Sequence, residues 1–299
     1  MTTMSGSPVA IIGLGLMGEV YAKRLIDARF AVTGYDIDPA RRARLAAIGG
    51  QAAASIAELA KPARAIIIAV FSTDQVEDVI ENHLLPALGD GSGKIVLCMS
   101  TCDPDQVAAL AARVIPRGIR YLDVPVSGTS DQVRRGDAVA LIGGDAGIAA
   151  EVAPLLDALF KSRFHVGKIG DGGRAKLAVN LILGLNRLAL AEGLVFAERL
   201  GLDPAAFLEV ARGSASYSQV MDTKGPKMVR GDFAAEGRAR QTLKDIRLML
   251  EQAAAVGQPL KMLEVHADVL EACLKAGEGD MDNSVVIKEV RRRGAKKRS

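Results

Sequence analysis

A glycine-rich segment near the N-terminus has the spacing of a phosphate-binding turn. It consists of Gly13-Leu14-Gly15-Leu16-Met17-Gly18, follows the apolar run Val9–Ile12 and precedes an amphipathic stretch. In that context the first glycine allows a tight turn, the second lets the backbone approach a pyrophosphate, and the third lets helix and strand pack closely. These six residues are predicted to hold a dinucleotide at a helix start, where N–H groups face the phosphates. A tight turn without a ligand is the alternative.

Asp36 is the residue expected to choose between the two nicotinamide dinucleotides. It lies 18 residues after Gly18, at the end of the second apolar run. A carboxylate there can accept hydrogen bonds from the adenosine ribose hydroxyls and would repel a 2′-phosphate, by about 1–4 kcal/mol per charge pair. This favours NAD. Arg41 and Arg42 follow closely and could hold a 2′-phosphate, so NADP stays possible.

Two further predicted strands end in residues that suit ligand binding. Phe71-Ser72-Thr73 follows the third apolar run, and Phe71 and Ser72 are expected to line the cofactor-binding site. Ser127-Gly128-Thr129 follows a later run, and a hydroxyl together with backbone N–H groups beside a glycine can bind a carboxylate. Ligands of open α/β sheets bind outside such carboxyl ends. An ordinary turn is the alternative for the second segment.

Lys176 and Asn180 are the candidates for acid–base chemistry. They stand four residues apart on a predicted helix, so they share one face. When a hydroxyl carbon gives up a hydride, its hydroxyl proton must also leave, and a lysine amine can accept it. Asn180 has both a donor and an acceptor with which to orient the substrate. The alternatives are a solvated surface lysine and an asparagine that packs or caps the helix.

The pattern of apolar residues divides the chain into two halves. Residues 1–166 alternate short apolar runs with amphipathic stretches, which is typical of a doubly wound α/β domain. Residues 167–290 show apolar spacings of three and four, which predicts an all-α domain. Its first segment, Gly173–Leu200, contains no proline and could be one long helix that invites self-association. Residues 291–299 are expected to be a frayed basic tail.

Composition narrows the class of protein. The chain has 299 residues and a net charge of +3, but residues 291–299 carry six positive charges, which leaves −3 for the rest. No nucleic acid or membrane partner is therefore expected, and no apolar run approaches the length needed to cross a bilayer. Three cysteines without paired spacing predict free thiols in a reducing compartment and no metal site. With no signal peptide in the first residues, a cytoplasmic protein is expected.

These motifs occur together in the β-hydroxyacid dehydrogenases, which the sequence resembles over nearly its whole length. The glycine turn is the first shared element. Asp123-Val124-Pro125-Val126-Ser127-Gly128-Thr129 is similar to the family's D-x-P-V-S-G-G substrate motif, with Thr129 in place of the second glycine. Gly170-x-Gly172-x-x-x-Lys176-x-x-x-Asn180 is similar to its catalytic-lysine motif, and Lys244-Asp245 to its later K-D motif.

The resemblance implies roles for these residues and a fold. It implies an α/β chain with an N-terminal Rossmann-type domain, a C-terminal all-α domain and a site in the cleft between them. Lys176 would be the general acid/base, and residues 127–129 would bind the substrate carboxylate. Thr101 would lie near the nicotinamide ribose. Lys244 would reach towards both cofactor and substrate.

The predicted function is hydride transfer between a nicotinamide cofactor and a small 3-hydroxy acid similar to 3-hydroxyisobutyrate. We expect NAD as cofactor, a hydroxy-acid substrate, and a homodimer or homotetramer. One alternative is an NADPH-dependent enzyme similar to imine reductases, although these usually lack the lysine found at Lys176. Another is a non-catalytic dinucleotide-binding module whose basic tail contacts nucleic acid.

Overall fold

Continuous apolar runs form the central strands of a nine-stranded sheet. A computed structural model describes residues 8–295 of the chain. The chain divides into one unit that ends at Lys176 and a second that begins at Leu177. The sheet belongs to the first unit, and its strands are β1 Val9–Ile12, β2 Val32–Tyr35, β3 Gln51–Ala52, β4 Ala65–Ile68, β5 Ile95–Cys98, β6 Arg120–Asp123, β7 Val126–Ser127, β8 Val139–Gly144 and β9 Ser162–Gly167.

The strand order makes this unit a doubly wound α/β domain, as predicted. Across the sheet the order is β3-β2-β1-β4-β5-β6-β8-β7, and β9 also pairs with β8. The strands from β3 to β6 in this order are parallel, whereas β8 runs antiparallel to β6 and β7. The carboxyl ends of β1, β2, β4, β5 and β6 therefore lie at one edge of the sheet, where such folds bind ligands.

Both faces of the sheet are covered, which explains why its strands are apolar without alternation. In β1, Val9 and Ile11 belong to one core, and Ala10 and Ile12 to the other. The helices of the unit are α1 Leu16–Asp27, α2 Pro39–Ala47, α3 Ile56–Ala60, α4 Thr73–Asp78, α5 Leu85–Leu88, α6 Pro104–Val114, α7 Ser130–Arg135, α8 Ala146–Glu151 and α9 Ala153–Leu159.

Three strands and one helix differ from the sequence-based expectation. The pattern missed β3 and β7 because each has only two residues, and β9 because its side chains are exposed rather than apolar and buried. The amphipathic stretch after β4 forms no single regular helix, because a π-helical segment, Val79–Leu84, separates α4 from α5. The apolar spacing of these residues does not distinguish the wider π turn from a regular helix.

The second unit is helical in the described residues and has a core of its own. Leu188, Leu194, Leu243 and Leu270 are among the buried residues of this core. One helix, α10 Asp171–Arg199, begins in the first unit and continues into the second, close to the predicted bounds. The remaining helices are α11 Pro204–Arg212, α12 Gln219–Thr223, α13 Gly225–Arg230, α14 Ala239–Ala255, α15 Lys261–Lys275 and α16 Val286–Ala295.

The expectation of a frayed basic tail is wrong for its first part. Residues 291–295 belong to α16, whose arginines pair with carboxylates distant in sequence. Arg292 Nη1 lies 2.8 Å from Glu278, and Arg293 Nη2 lies 2.8 Å from Asp268. Residues 296–299 and the N-terminal residues 1–7, on which the absence of a signal peptide was judged, lie outside the described part of the chain. The domain limits 1–166 and 167–290 stay predictions.

By length and composition alone, α10 could span a membrane. Its most apolar 18-residue window has a mean hydropathy of 1.5, so the expectation that no segment is long and apolar enough is wrong for this helix. The core helices of soluble proteins meet the same criterion. Leu177, Leu190 and Val195 of α10 are buried in the core of the second unit.

A histidine and an arginine are buried together in that unit. His266 is fully buried, and neither of its ring nitrogens has a hydrogen-bond partner among residues 8–295. Burial, and next the positive charge of Arg187, lower the pKa of His266 from 6.5 to about 3. His266 is therefore neutral at physiological pH in the folded protein, although it would take up a proton in the unfolded chain below about pH 6.5.

This histidine should make folding stability depend on pH. Since the unfolded state binds the extra proton, the contribution of His266 is complete above its unfolded pKa of 6.5 and is lost as the pH falls towards 3. Between pH 6.5 and pH 5 the wild type should lose about 2 kcal/mol of unfolding free energy that His266→Leu retains. Urea unfolding at several pH values measures this difference. His83→Gln, at an exposed position, is the control, and equal pH slopes for all three proteins would contradict the expectation.

Candidate active site

In the glycine turn between β1 and α1, only one of the three glycines has room for a Cβ atom. Gly13 has φ +91, and a Cβ there would overlap the Ala69 carbonyl group. A Cβ at Gly18 would overlap the Gly13 carbonyl group. At Gly15, by contrast, the nearest atom to a Cβ would be Arg41 Nη1, at 3.7 Å. Packing thus accounts for the first and third glycines, whereas the second faces open space that suits a dinucleotide phosphate.

The other residues of the turn offer backbone rather than side chains. Leu14 is buried in the core, Met17 is partly buried against it, and Leu16 is half-exposed. No described side chain caps the first turn of α1. The N–H groups at this helix start are therefore the donors with which the turn can hold phosphate oxygens. The residues fit a dinucleotide, and their roles stay predictions.

Asp36 at the end of β2 holds the glycine turn in place. Its Oδ2 atom accepts the Leu14 N–H at 2.7 Å, and its Oδ1 atom accepts the Asp38 N–H at 2.9 Å. Arg41 Nη1 lies 3.2 Å from Oδ2 and forms an ion pair with it. The carboxylate is thus both a turn residue and a candidate ribose ligand, and Arg41 offsets part of its charge.

Arg42 also contacts residues at the end of β2. Its Nη1 atom donates to the Asp36 carbonyl oxygen at 2.6 Å. Its guanidinium group also lies over the Tyr35 ring, 5.6 Å from the centroid. Both arginines that could hold a 2′-phosphate therefore have partners within the protein in this structure.

The ends of β4 and β5 carry the remaining residues predicted to contact the cofactor. Phe71 is half-exposed, and the Ser72 hydroxyl accepts the Gln75 N–H at 3.3 Å and so caps α4. Thr101 follows β5, and the Ser100 hydroxyl before it accepts the Val70 N–H at 2.9 Å. Since β4 and β5 are parallel neighbours, these residues share one sheet edge with the glycine turn and Asp36.

The predicted substrate segment ends in a capping box with Gln132, a residue to which the sequence analysis assigned no role. Thr129 caps α7: its hydroxyl accepts the Gln132 N–H at 3.2 Å, and its own N–H donates to the Gln132 side chain at 2.9 Å. Gly128 before it has φ +146, and a Cβ there would lie 2.7 Å from the Ala138 Cβ. The spacing T-x-x-Q is the sequence signal for this capping box.

Lys176 is buried, with 6% of its surface exposed. It lies in the second turn of α10, after Gly172 and Gly173. The Gly173 N–H donates to Asp123 Oδ2 at 2.8 Å. Asp123 belongs to the substrate motif, but the sequence reasoning assigned it no role. The alternative of a solvated lysine does not fit this position.

Asn180 and Lys244 both contact Asp245, a carboxylate in the helical unit to which the sequence analysis assigned no role. Asp245 Oδ2 accepts from Asn180 Nδ2 at 3.4 Å, and its Oδ1 accepts from Gln241 Nε2 at 3.3 Å. Lys244 Nζ lies 3.2 Å from Asp245 Oδ1. Lys244 therefore forms an ion pair with the next residue in the chain. Its place in the K-D motif is the sequence signal that could have identified Asp245 as a site residue.

No metal cluster accompanies these residues. Within residues 8–295 no three histidine, cysteine, aspartate or glutamate side chains come close enough to hold a metal ion. Cys98, Cys102 and Cys273 are buried thiols that form no disulfide with one another. The chemistry available in the described part of the chain is that of a buried amine, carboxylates, amides and backbone donors.

Known proteins share both the sequence and this arrangement. Residues 8–167 match the family described as the NAD binding domain of 6-phosphogluconate dehydrogenase. Residues 170–290 match the NAD-binding family of NADP-dependent 3-hydroxyisobutyrate dehydrogenase. The chain belongs to the β-hydroxyacid dehydrogenase family. It is thus an oxidoreductase that acts on CH–OH groups with a nicotinamide cofactor.

Individual relatives of this β-hydroxyacid dehydrogenase differ in the substrate for which they are named. The 2-(hydroxymethyl)glutarate dehydrogenase of Eubacterium barkeri is 30% identical over 94% of this chain and 93% of its own length. The 2-hydroxy-3-oxopropionate reductase of Escherichia coli is 29% identical over 93% and 95%. The crystal structure of 3-hydroxyisobutyrate dehydrogenase from Salmonella typhimurium has a TM-score of 0.85 and 28% identity, and the match covers 94% of this chain and 99% of that one.

The glycine turn gives a direct test of where the dinucleotide binds. Because the Cβ position of Gly15 is open, Gly15→Ala should keep the wild-type unfolding free energy but weaken dinucleotide binding at least about tenfold by blocking the phosphates. Gly18→Ala, which collides with the backbone, should instead cost about 1–3 kcal/mol of stability. Calorimetric titration with NAD⁺ and urea unfolding measure the two effects. Unchanged dinucleotide affinity in a folded Gly15→Ala protein would place the cofactor elsewhere.

Proposed function

We propose that the protein oxidises a small 3-hydroxy acid similar to 3-hydroxyisobutyrate, and reduces the product, with Lys176 as general acid/base. The burial of the lysine within the catalytic-lysine motif carries this proposal, because buried ionisable groups are concentrated at functional sites. The motif around it and the hydroxy acids or aldehyde acids in the names of its relatives support the same substrate class.

Each of the other predicted site residues has a part in the proposed reaction. The backbone N–H groups and the hydroxyl of Ser127, with Gly128 and Thr129, bind the substrate carboxylate. Asn180 orients the hydroxyl group through its amide, with Asp245 holding that amide. Lys244, paired with Asp245, supplies a positive charge towards the acidic substrate and the cofactor. A bound nicotinamide cofactor would supply the acceptor or donor of a hydride.

Lys176 accepts or returns the proton that accompanies hydride transfer. As the substrate carbonyl forms, the hydroxyl proton passes to the Lys176 amine, and from there to solvent. In the reverse direction the Lys176 ammonium group returns a proton to the oxygen. Acid–base catalysis of this kind contributes about 100- to 10,000-fold to the rate.

We further propose that NAD is the preferred cofactor. Asp36 places a buried carboxylate at the end of β2, and both arginines that could receive a 2′-phosphate are already bonded to Asp36. An NADP phosphate would have to draw one of them away. Self-association as a homodimer or homotetramer and a cytoplasmic location stay predictions.

A substrate panel tests the reaction. Short 3-hydroxy acids (3-hydroxyisobutyrate, 3-hydroxypropionate, glycerate and threonate) are assayed spectrophotometrically with NAD⁺ and NADP⁺ at mildly alkaline pH. At least one should be oxidised, and Lys176→Met should lower its kcat about 100-fold or more while leaving dinucleotide affinity within a few-fold. Arg174→Ala, an exposed cation two residues earlier on the same helix, should keep its activity. Normal turnover by Lys176→Met would reject the assigned role.

The cofactor preference has its own test at Asp36. The wild type should bind NAD⁺ more tightly than NADP⁺, and Asp36→Asn should raise the relative affinity for NADP⁺ about tenfold by removing the opposing charge. Asp38→Asn, two residues later on an exposed carboxylate, should leave the ratio unchanged. Calorimetric titration of each protein with both dinucleotides measures the ratio. A wild type that prefers NADP⁺, or a ratio that Asp36→Asn does not alter, would show that Asp36 does not decide the choice.

A further inference from the structure

Asp123 is a buried carboxylate at the junction between the sheet and the helix of the proposed catalytic lysine. It ends β6, and 3% of its surface is exposed. Its Oδ2 atom accepts the N–H of Gly173 at 2.8 Å. Gly173 lies in the first turn of α10, and Lys176 follows three residues later on the same helix. The carboxylate thus binds the backbone within one turn of the lysine.

Two glycines, Gly143 and Gly172, lie next to this carboxylate. A Cβ at Gly143 would lie 2.5 Å from Asp123 Oδ1, and a Cβ at Gly172 would lie 2.6 Å from the same atom. At Gly172 it would also lie 2.8 Å from the Leu141 carbonyl oxygen. Glycine at both places therefore lets the strand β8 and the start of α10 close directly on the carboxylate. A longer acid would not fit this space.

The electrostatic surroundings of Asp123 consist of backbone dipoles rather than a cation. Asp123 forms no ion pair with a lysine or arginine among residues 8–295. Burial raises the pKa of Asp123 to about 6, and nearby backbone N–H groups, first that of Gly173, oppose that rise. Its Oδ1 atom has no hydrogen-bond partner among residues 8–295. Of the charged groups nearby, Asp171 at the start of α10 raises the pKa further.

The other ionisable neighbours lie on the adjoining strands and helices. Cys98 is opposite Asp123 in the pairing of β5 with β6, and Tyr121 lies on β6 itself. The pKa of Tyr121 is raised well above its ordinary value, first by burial. From α6, Asp105 pairs with Arg174 at the protein surface. The pKa of Cys98 is lowered, first by a hydrogen bond with Cys102. Asp123 is the buried carboxyl group of this cluster.

We propose that Asp123 is a positioning residue: its carboxyl group fixes the first turn of α10 and thereby the amine of Lys176. The inference rests on the proposed function for its effect on turnover, but the anchoring of the helix is a separate property. The hydrogen bond from the Gly173 N–H carries the anchoring. The positive end of the helix dipole favours the ionised form. Burial has the larger effect, because the pKa of Asp123 is raised, so protonation tightens the first turn.

The proposal separates activity from stability. Because the pKa of Asp123 is higher in the folded than in the unfolded protein, ionisation costs stability as the pH rises from about 4 to about 6. A merely structural residue would make Asp123→Asn less stable. A positioning residue kept in its charged form makes the neutral isostere at least as stable as the wild type, but less active.

The experiment compares the wild type, Asp123→Asn and the matched control Asp171→Asn. For Asp123→Asn we expect kcat to fall about 10- to 100-fold, KM to change less than threefold, dinucleotide affinity to persist and the unfolding midpoint at pH 7 not to fall. Asp171→Asn, at the same helix end, should keep kcat within threefold.

Hydrogen exchange supplies a readout that does not need turnover. In the wild type, the peptide covering residues 170–178 should gain protection, relative to intrinsic exchange rates, as the pH falls through about 6, because protonation favours the buried carboxyl group. In Asp123→Asn, whose side chain does not titrate, this pH dependence should disappear, while peptides from α14 are unchanged. The wild-type pH series alone decides the matter if the variant does not fold. Protection of residues 170–178 that does not vary with pH would overturn the proposal.

The combined outcomes distinguish the two proposals. If no hydroxy acid on the panel is turned over, the proposed function fails, and the exchange data still support or overturn the anchoring by Asp123. If turnover occurs and Asp123→Asn is unchanged in kcat, the positioning role is overturned and the proposed function stands. A variant that loses activity together with its unfolding midpoint would also overturn it, because that result indicates a structural role.

Discussion

The hydrogen bond between the Gly173 N–H and the buried Asp123 carboxylate is the contact on which the site depends. It joins the end of a sheet strand to the start of the helix that contains Lys176. On the strand side, the parallel register of β1 to β6 brings the glycine turn, Asp36 and Thr101 to one edge. On the helix side, the same bond fixes the segment in which the amine is buried. Because the carboxylate has no cationic partner in the described chain, its charge is stabilised by backbone N–H groups, whose positions depend on the fold being intact.

The sequence predicted those parts of the molecule that follow from local rules. Uninterrupted apolar runs predicted the buried parallel strands, and the glycine spacing predicted the turn between β1 and α1. The absence of proline in Gly173–Leu200 predicted α10 to within two residues of its bounds. These signals are local because backbone geometry and burial on both faces constrain consecutive residues. The roles proposed for Lys176 and Asn180 combined their spacing on one helix face with the resemblance to a family, and the role proposed for Lys244 came from the resemblance.

What could not be predicted depends on partners distant in sequence. The basic composition of residues 291–295 suggested a solvated tail, but Glu278 and Asp268 supply the counter-charges that keep them in α16. Periodicity gave no indication that Asp123 would meet Gly173, fifty residues later. The pairing of Arg41 with Asp36 is likewise a matter of side-chain conformation. The proposed preference for NAD therefore rests on an ion pair that a motif cannot show, because the same residues could also receive a phosphate.

The capping box at Thr129 affects how firmly a substrate can be held. In this structure the Thr129 N–H already donates to the Gln132 side chain. An incoming carboxylate that uses the same N–H must displace the amide oxygen, so binding exchanges one acceptor for another and yields little net free energy. The loop is ordered in advance, so little conformational entropy is lost on binding. In the proposed reaction this arrangement lets the glutamine return as the product departs, which favours rapid release over tight retention.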